Sequence, residues 1–165
     1  MYESAELIEN ISIWLGALSS TGNRPLRHTS TVASLAITTA LAQVAADLVE
    51  NTAKRVRQSE AEAKKAKVNK ARVSAADQEI EDYNQRLEFV GGQLDDWFTV
   101  VYIHRYRDVD PRIRGDCVVA LADWILTYPD KFFDGTKLRY FGWVLSDPIP
   151  STRIEVLHQL SLIHI

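Results

Sequence analysis

The residue types best suited to catalysis are scattered in this sequence. Its four histidines (His28, His104, His158, His164) fall into no metal-ligand spacing, and the single cysteine, Cys117, stands among Val118, Val119 and Ala120. A cysteine in that setting reads as a buried helix residue rather than a nucleophile. Asp95 and Asp96 come nearest to paired acids, but neighbours on a helix point about 100° apart and read as solvated carboxylates. No GxGxxG, P-loop or HExxH motif is present. The residues therefore predict no enzyme, no metal site and no cofactor.

Two other patterns carry more chemistry. Residues 54–72 hold eight basic side chains (Lys54, Arg55, Arg57, Lys64, Lys65, Lys67, Lys70, Arg72) against Glu60 and Glu62, a local net of +6. Residues 77–96 hold seven acids against Arg86, a local net of −6. The whole-chain net charge of −3 is a cancellation between these blocks and does not exclude a phosphate partner. Charge-matched arms of a helical hairpin would explain them; so would a basic arm that releases counterions from DNA, with Lys64, Lys65, Lys67 and Lys70 as candidates. The second pattern is aromatic and cationic: Tyr102, His104, Arg105, Tyr106, Arg107, Tyr128, Phe132, Phe133, Arg139, Tyr140, Phe141 and Trp143. Tyr140 and Trp143 share a helix face, and Tyr, Trp and Arg together are the composition of protein-binding hot spots.

The elements that position these residues are helices. No proline lies between Pro25 and Pro111, and Gly91 and Gly92 are the only glycines there. Strand-rich folds need turns far more often, so the chain is predicted all-α. A first helix is expected from about Glu3 to Leu18, with Leu7, Ile8, Ile11, Leu15 and Leu18 on one face. A second runs from Pro25 to about Asn69, near 65 Å at the usual rise. Val32, Leu35, Leu41, Val44, Leu48 and Val49 can bury its first half. Ser74 with Asp77 resembles a capping box that would start a third helix. There Ile80, Tyr83, Leu87, Val90, Leu94, Trp97 and Val101 follow a 3-4 spacing, a seam that calls for an antiparallel partner, with a kink expected at Gly91-Gly92. No apolar run approaches the roughly 20 residues that span a bilayer, so no membrane role is expected. One unpaired cysteine and an N-terminus without a basic n-region predict a reduced, intracellular protein.

The C-terminal part repeats. Asp108, Pro111, Arg114 and Leu121 recur as Asp147, Pro150, Arg153 and Leu160 at an offset of 39 residues. In this D-x-x-P-x-x-R unit the aspartate caps, the proline opens a helix and the arginine can reach the next unit's aspartate. Asp134 is expected to cap a helix between the copies. Repeats of about 40 residues made of two helices are the mark of HEAT-type solenoids. The expected fold is an all-α, HEAT-repeat-like helical solenoid fragment with a long antiparallel helical hairpin.

His104-Arg105-Tyr106-Arg107-Asp108, Ile113-Arg114 and Leu138-Arg139-Tyr140-Phe141-Gly142-Trp143 resemble the stromalin conservative domain of the STAG/stromalin subunits of cohesin. Arg24-Pro25-Leu26-Arg27-His28-Thr29 resembles an element of the family's STAG domain. The resemblance implies residues 1–103 as a STAG-type helical region, with the charged hairpin over about 25–103, and 104–165 as a stromalin conservative domain truncated at its C-terminus. It implies a non-enzymatic scaffold in the nucleus, on chromosomes, that binds the kleisin subunit of cohesin and cohesin regulators bearing aromatic peptide motifs. Tyr106, Arg139, Tyr140 and Trp143 match the family's peptide-accepting surface. An often acidic position of that surface falls on Gly135. DNA is implied as a secondary partner.

Overall fold

The computed structural model describes residues 5–64 and 70–163. In chain order they form α1 (Ala5–Ser19), α2 (Arg24–Ala63), α3 (Lys70–Trp97), a π-helical turn (Phe98–Tyr102), α4 (Ile103–Arg105), α5 (Pro111–Thr127), α6 (Pro129–Phe132), α7 (Gly135–Val144) and α8 (Pro150–Ile163). No strand occurs among the described residues, so the fold class is the expected one.

Local chemistry sets the helix starts. Asn23 accepts a hydrogen bond from the Leu26 N–H and Pro25 fills the first turn of α2, where its missing donor costs nothing. Asp134 caps α7 through Thr136 and Lys137, as expected; the helix cap of α5 is Asp110, through the Arg112 N–H, while the repeat's Asp108 closes the preceding turn by accepting from the Asp110 N–H. Ser74 departs from expectation: α3 already begins at Lys70, which puts Ser74 inside the helix. Its supposed capping partner, Asp77, instead accepts a hydrogen bond from Ser59 across the hairpin at 3.1 Å. The expected end of α2 near Asn69 lies outside the described residues; the described part ends at Ala63.

The hairpin seam forms. Val90, Leu94, Trp97 and Val101 are buried, while Ile80, Tyr83 and Leu87, nearer the tip, are half-buried. The expected kink does not fall at Gly91-Gly92, through which α3 runs as regular helix. The irregularity comes a turn and a half later, at the π-helical turn. There an extra residue per turn brings Trp97, Phe98, Val101 and Tyr102 all into the core.

The expected apolar face of α1 is only partly covered, since Leu7 and Ile11 are exposed. The helix docks instead through small residues. A Cβ at Gly16 would lie 2.7 Å from Val100 Cγ1, and Ser19 is fully buried. Small residues also line α2, where Ser30, Thr31, Ser34, Thr38, Ala42 and Ala45 are buried and Val32 is exposed. The hydroxyls of Ser30, Thr31, Ser34 and Thr38 donate to the carbonyl four residues back, at 2.7–2.9 Å, so the face buries without orphaned groups. This face packs α2 against α1, α3 and α5. The same Ala- and Thr-rich stretch makes α2 long and apolar enough to cross a membrane by length and composition, contrary to expectation. Thr, Ser, Gln and Asp interrupt the stretch, so it holds no unbroken apolar run, while its Ala, Val, Leu and Ile keep the average apolar.

Beyond the hairpin, α5 lies between α2 and α8 and carries the densest core. Trp124, Leu121, Ile113, Cys117 and Val118 are buried there, and Trp124 Nε1 donates to Thr39 Oγ1 of α2 at 2.9 Å.

Candidate partner-binding surface

The π-helical turn and the end of α7 assemble a column of rings. Phe98 and Tyr102 stack with centroids 4.6 Å apart; Tyr102 stacks on Tyr106 at 6.3 Å, and Tyr106 on Trp143 at 5.8 Å. Tyr140 meets Phe98, Tyr102, Tyr106 and Trp143 edge-on, at 4.8–5.4 Å. Edge-to-face rings attract beyond their burial, so Tyr140 is the hub that orients the others. The column runs from core to solvent: Tyr102 is 1% exposed, Tyr140 7% and Trp143 51%. Burial pushes the Tyr102 phenol well above its ordinary range, so it stays neutral. Arg139 places its guanidinium 5.5 Å from the Tyr140 ring and 5.2 Å from the Trp143 ring. A planar cation over an indole face is a favourable lid for a further aromatic group.

Tyr106, Arg139, Tyr140 and Trp143, picked from the sequence as a surface, are therefore one contiguous cluster. Two members escaped the sequence reading. Phe98 starts the column, and Lys137 holds its Nζ 4.0 Å over the Phe98 ring, where burial pulls the amine below its ordinary range. A heptad register assigns Phe98 to the flank of the seam; only the π-helical turn rotates it inward. The i, i+4, i+8 spacing of Phe98, Tyr102 and Tyr106 was the available signal.

A second construction fixes the turn that carries Tyr106. Asp108 accepts from Arg27 Nε and Nη2, at 2.9 and 3.4 Å, and from Arg105 Nη1 at 2.6 Å. Burial raises the Asp108 carboxyl, but the Asp110 N–H and the Arg27 and Arg105 contacts outweigh it and hold it below its usual range. Arg114 grips Asp147 with both prongs, at 2.5 and 2.7 Å, as the repeat predicted. Asp147 follows the same balance, with Arg114 and the Ile149 N–H outweighing burial.

The catalytic candidates stay apart. Asp95 pairs with Lys131 at 2.9 Å, His28 with Asp116 at 2.8 Å, and His158 lies 3.7 Å from Glu155. Cys117 is fully buried, and burial drives its thiol far above the range in which thiolate forms. No group of His, Cys, Asp and Glu suited to a metal occurs among the described residues.

On the basic arm, Arg55 crosses to Glu79 of α3 and Lys54 pairs with Glu50 within α2. Lys64 is exposed at the end of α2. Lys65, Lys67 and the Lys70 side chain lie outside the described residues. The arm is thus charge-matched at its centre, with Arg57 and Lys64 facing solvent.

Two family models match the chain: "STAG domain" over residues 1–79 and "Stromalin conservative domain" over 107–164. "Cohesin subunit psc3" of Schizosaccharomyces pombe is 39% identical over 97% of this chain and 16% of its own length. "Cohesin subunit SA-3" of Mus musculus is 31% identical over 98% of this chain and 13% of its own. The solved structure of cohesin subunit Scc3 from Z. rouxii superposes with a TM-score of 0.90 at 31% identity, covering 96% of this chain and 18% of that one. The chain thus spans less than a fifth of each of these relatives.

Proposed function

The chain belongs to the STAG/stromalin family, and on that premise we propose that it is a non-enzymatic scaffold segment of a cohesin subunit, whose ring column receives an aromatic side chain of a partner protein. The observation that carries this reading is the half-exposed Trp143, backed by Tyr106 and Tyr140 and flanked by Arg139. A preformed aromatic platform beside a cation binds an apolar ring with little ordering cost, which is how such residues come to dominate interfaces. The partners are the kleisin subunit and cohesin regulators carrying aromatic peptide motifs. The place of action is the chromosome, in the nucleus.

The test is fluorescence polarisation with a Phe-containing partner peptide. Trp143→Ala and Tyr106→Ala should each weaken binding about tenfold or more, with helical circular dichroism unchanged. Unaltered affinity in both variants would remove the assignment of this surface. Co-purification of kleisin with the full-length protein tests the wider role.

A second reading makes the chain a DNA-binding module working through arm 54–72. The solvent-facing Arg57 and Lys64 favour it, and the Arg55–Glu79 pair weighs against it. It requires DNA affinity that falls steeply with salt and drops when Lys64, Lys65, Lys67 and Lys70 become Gln. A flat salt response would dispose of it.

A further inference from the structure

Three turns of this chain are built alike. Arg27 Nη1 donates to the carbonyls of Thr21 and Gly22, at 3.1 and 3.3 Å. Arg114 Nη1 does the same to Asp108 and Val109, and Arg153 Nη1 to Asp147 and Pro148, in each case six and five residues back. The first residue of each turn also accepts from the N–H two residues on. Asp108 accepts from Asp110 at 2.9 Å, Asp147 from Ile149 at 2.8 Å, and Thr21 Oγ1 from Asn23 at 3.4 Å. Thr21 therefore stands where the other two turns carry an aspartate. Its hydroxyl makes the turn without the charge.

The charge is what the surroundings of Thr21 lack. Asp108 is gripped by Arg27 and Arg105, and Asp147 by Arg114. Thr21 lies in a cleft of about 360 Å³ whose wall holds Arg27, His104, Arg105 and Arg107, with Asp108 as its one acid. Three guanidinium groups against one carboxylate leave that wall net positive before His104 is counted. Asp108 is buried and already serves Arg27, Arg105 and the Asp110 N–H. Arg107 is exposed and makes no ion pair among the described residues. Arg105 spends Nη1 on Asp108, yet its Nε is buried and finds no acceptor there. A buried donor left without an acceptor is unfavourable, so an anion beside it is welcome.

We propose that this cleft is a phosphate site whose occupant the chain itself carries, as phosphothreonine at Thr21. Thr21 is half-buried, but Ser20 and Gly22 on either side are exposed and the turn belongs to no helix, so a protein kinase can reach it. The co-reactant is ATP. The bond from Thr21 Oγ1 to the γ-phosphorus forms, the bond from that phosphorus to the bridging oxygen breaks, ADP leaves, and the hydroxyl proton passes to a base of the kinase. The product dianion offers three acceptor oxygens to Arg107 and to the remaining donors of Arg105, the pairing that makes phosphate order a loop opposite arginines. It supplies reversibly the charge that aspartate supplies permanently in the other two turns. Its effect is to tie the turn between α1 and α2 to the turn that carries Tyr106.

The test is phosphorus NMR on the full-length protein with phosphothreonine installed at position 21. A free phosphothreonine takes up its second proton near a pH of about 6. In the cleft that value should fall by about one unit, and Arg107→Gln should return it to the free value. Arg105→Gln also strips Asp108 of a partner, so Arg107→Gln is the deciding variant. Amide hydrogen exchange in residues 104–109 should slow about tenfold on phosphorylation, and should not slow in the Arg107 variant. A phosphate that titrates like free phosphothreonine, or one indifferent to Arg107→Gln, overturns the proposal. So does mass spectrometry of the protein from its own cells, under phosphatase inhibition, that finds no phosphate on Thr21. Inorganic phosphate checks the source: if at millimolar concentration it slows exchange in 104–109 equally in the unmodified protein, the cleft serves a free anion and the assignment to Thr21 is wrong.

Discussion

The hairpin and the repeat stack are both tied by arginine–carboxylate pairs, and the pairs differ in what surrounds them. Across the hairpin, the Arg55 and Glu79 side chains keep 40% and 45% of their exposure. In the stack, Arg114 and Asp147 keep 10% and 5%. Water competes for the first pair and is excluded from the second, so the same chemistry does different jobs. In the hairpin it matches two arms whose cohesion comes from the apolar seam. In the stack it sets the register between successive units, because a buried charge without its partner is far costlier than the bond is favourable.

That contrast predicts a ranked set of outcomes. Arg114→Ala leaves Asp147 buried and unpaired, and should lower the urea unfolding free energy by about 3–5 kcal/mol; a loss below about 1 kcal/mol would mean the pair is as dispensable as a surface one. Acid should act on the stack next. The folded-state carboxyls of Asp108 and Asp147 titrate below their unfolded value near 3.9. Their contribution is therefore complete above about pH 5 and is lost as pH falls through 4 toward the folded values. Urea midpoints measured from pH 6 to pH 3 should fall less steeply in Asp147→Asn than in wild type; identical slopes would break the assignment. The smallest effect belongs to the hairpin, where Arg55→Gln should cost about 0.5 kcal/mol or less and vanish in 0.5 M salt. A larger, salt-resistant loss would erase the distinction between the regions.

The parts of this fold that were legible in the sequence are those with a period. The seam from Ile80 to Val101 and the 39-residue offset between Asp108 and Asp147 are repeats in one dimension, and each has one spatial reading. The Arg114–Asp147 bond follows from the second almost directly. Less legible were features where small or polar residues do the packing. Gly16, Ser19, Ser30, Ser34 and Thr38 are buried, yet hydrophobic patterning put Leu7, Ile11 and Val32 inside instead. The serine and threonine hydroxyls donate to carbonyls of the preceding turn, Gly16 O among them, so these residues bury at no polar cost and leave no apolar trace. The ring cluster was half legible: its four chosen residues do converge, while Phe98 and Lys137 were missed because a π-helical turn shifts the register by a residue.

By itself the sequence determined an all-helical chain, the hairpin seam, helix starts at Pro25, Pro111 and Asp134, and the existence of an arginine–aspartate repeat. Those follow from short-range rules of capping, propensity and periodicity. Only the tertiary structure decided that Arg27 belongs to the same series as Arg114 and Arg153. The hairpin separates Arg27 from Asp108 by 81 residues, and Thr21 in place of aspartate and a proline one position later break the motif, so the likeness shows only in Nη1 donating to the carbonyls five and six residues before each arginine. It also decided which rings meet, because a stacking column depends on how α7 is laid against the π-helical turn, and no spacing within either element specifies that.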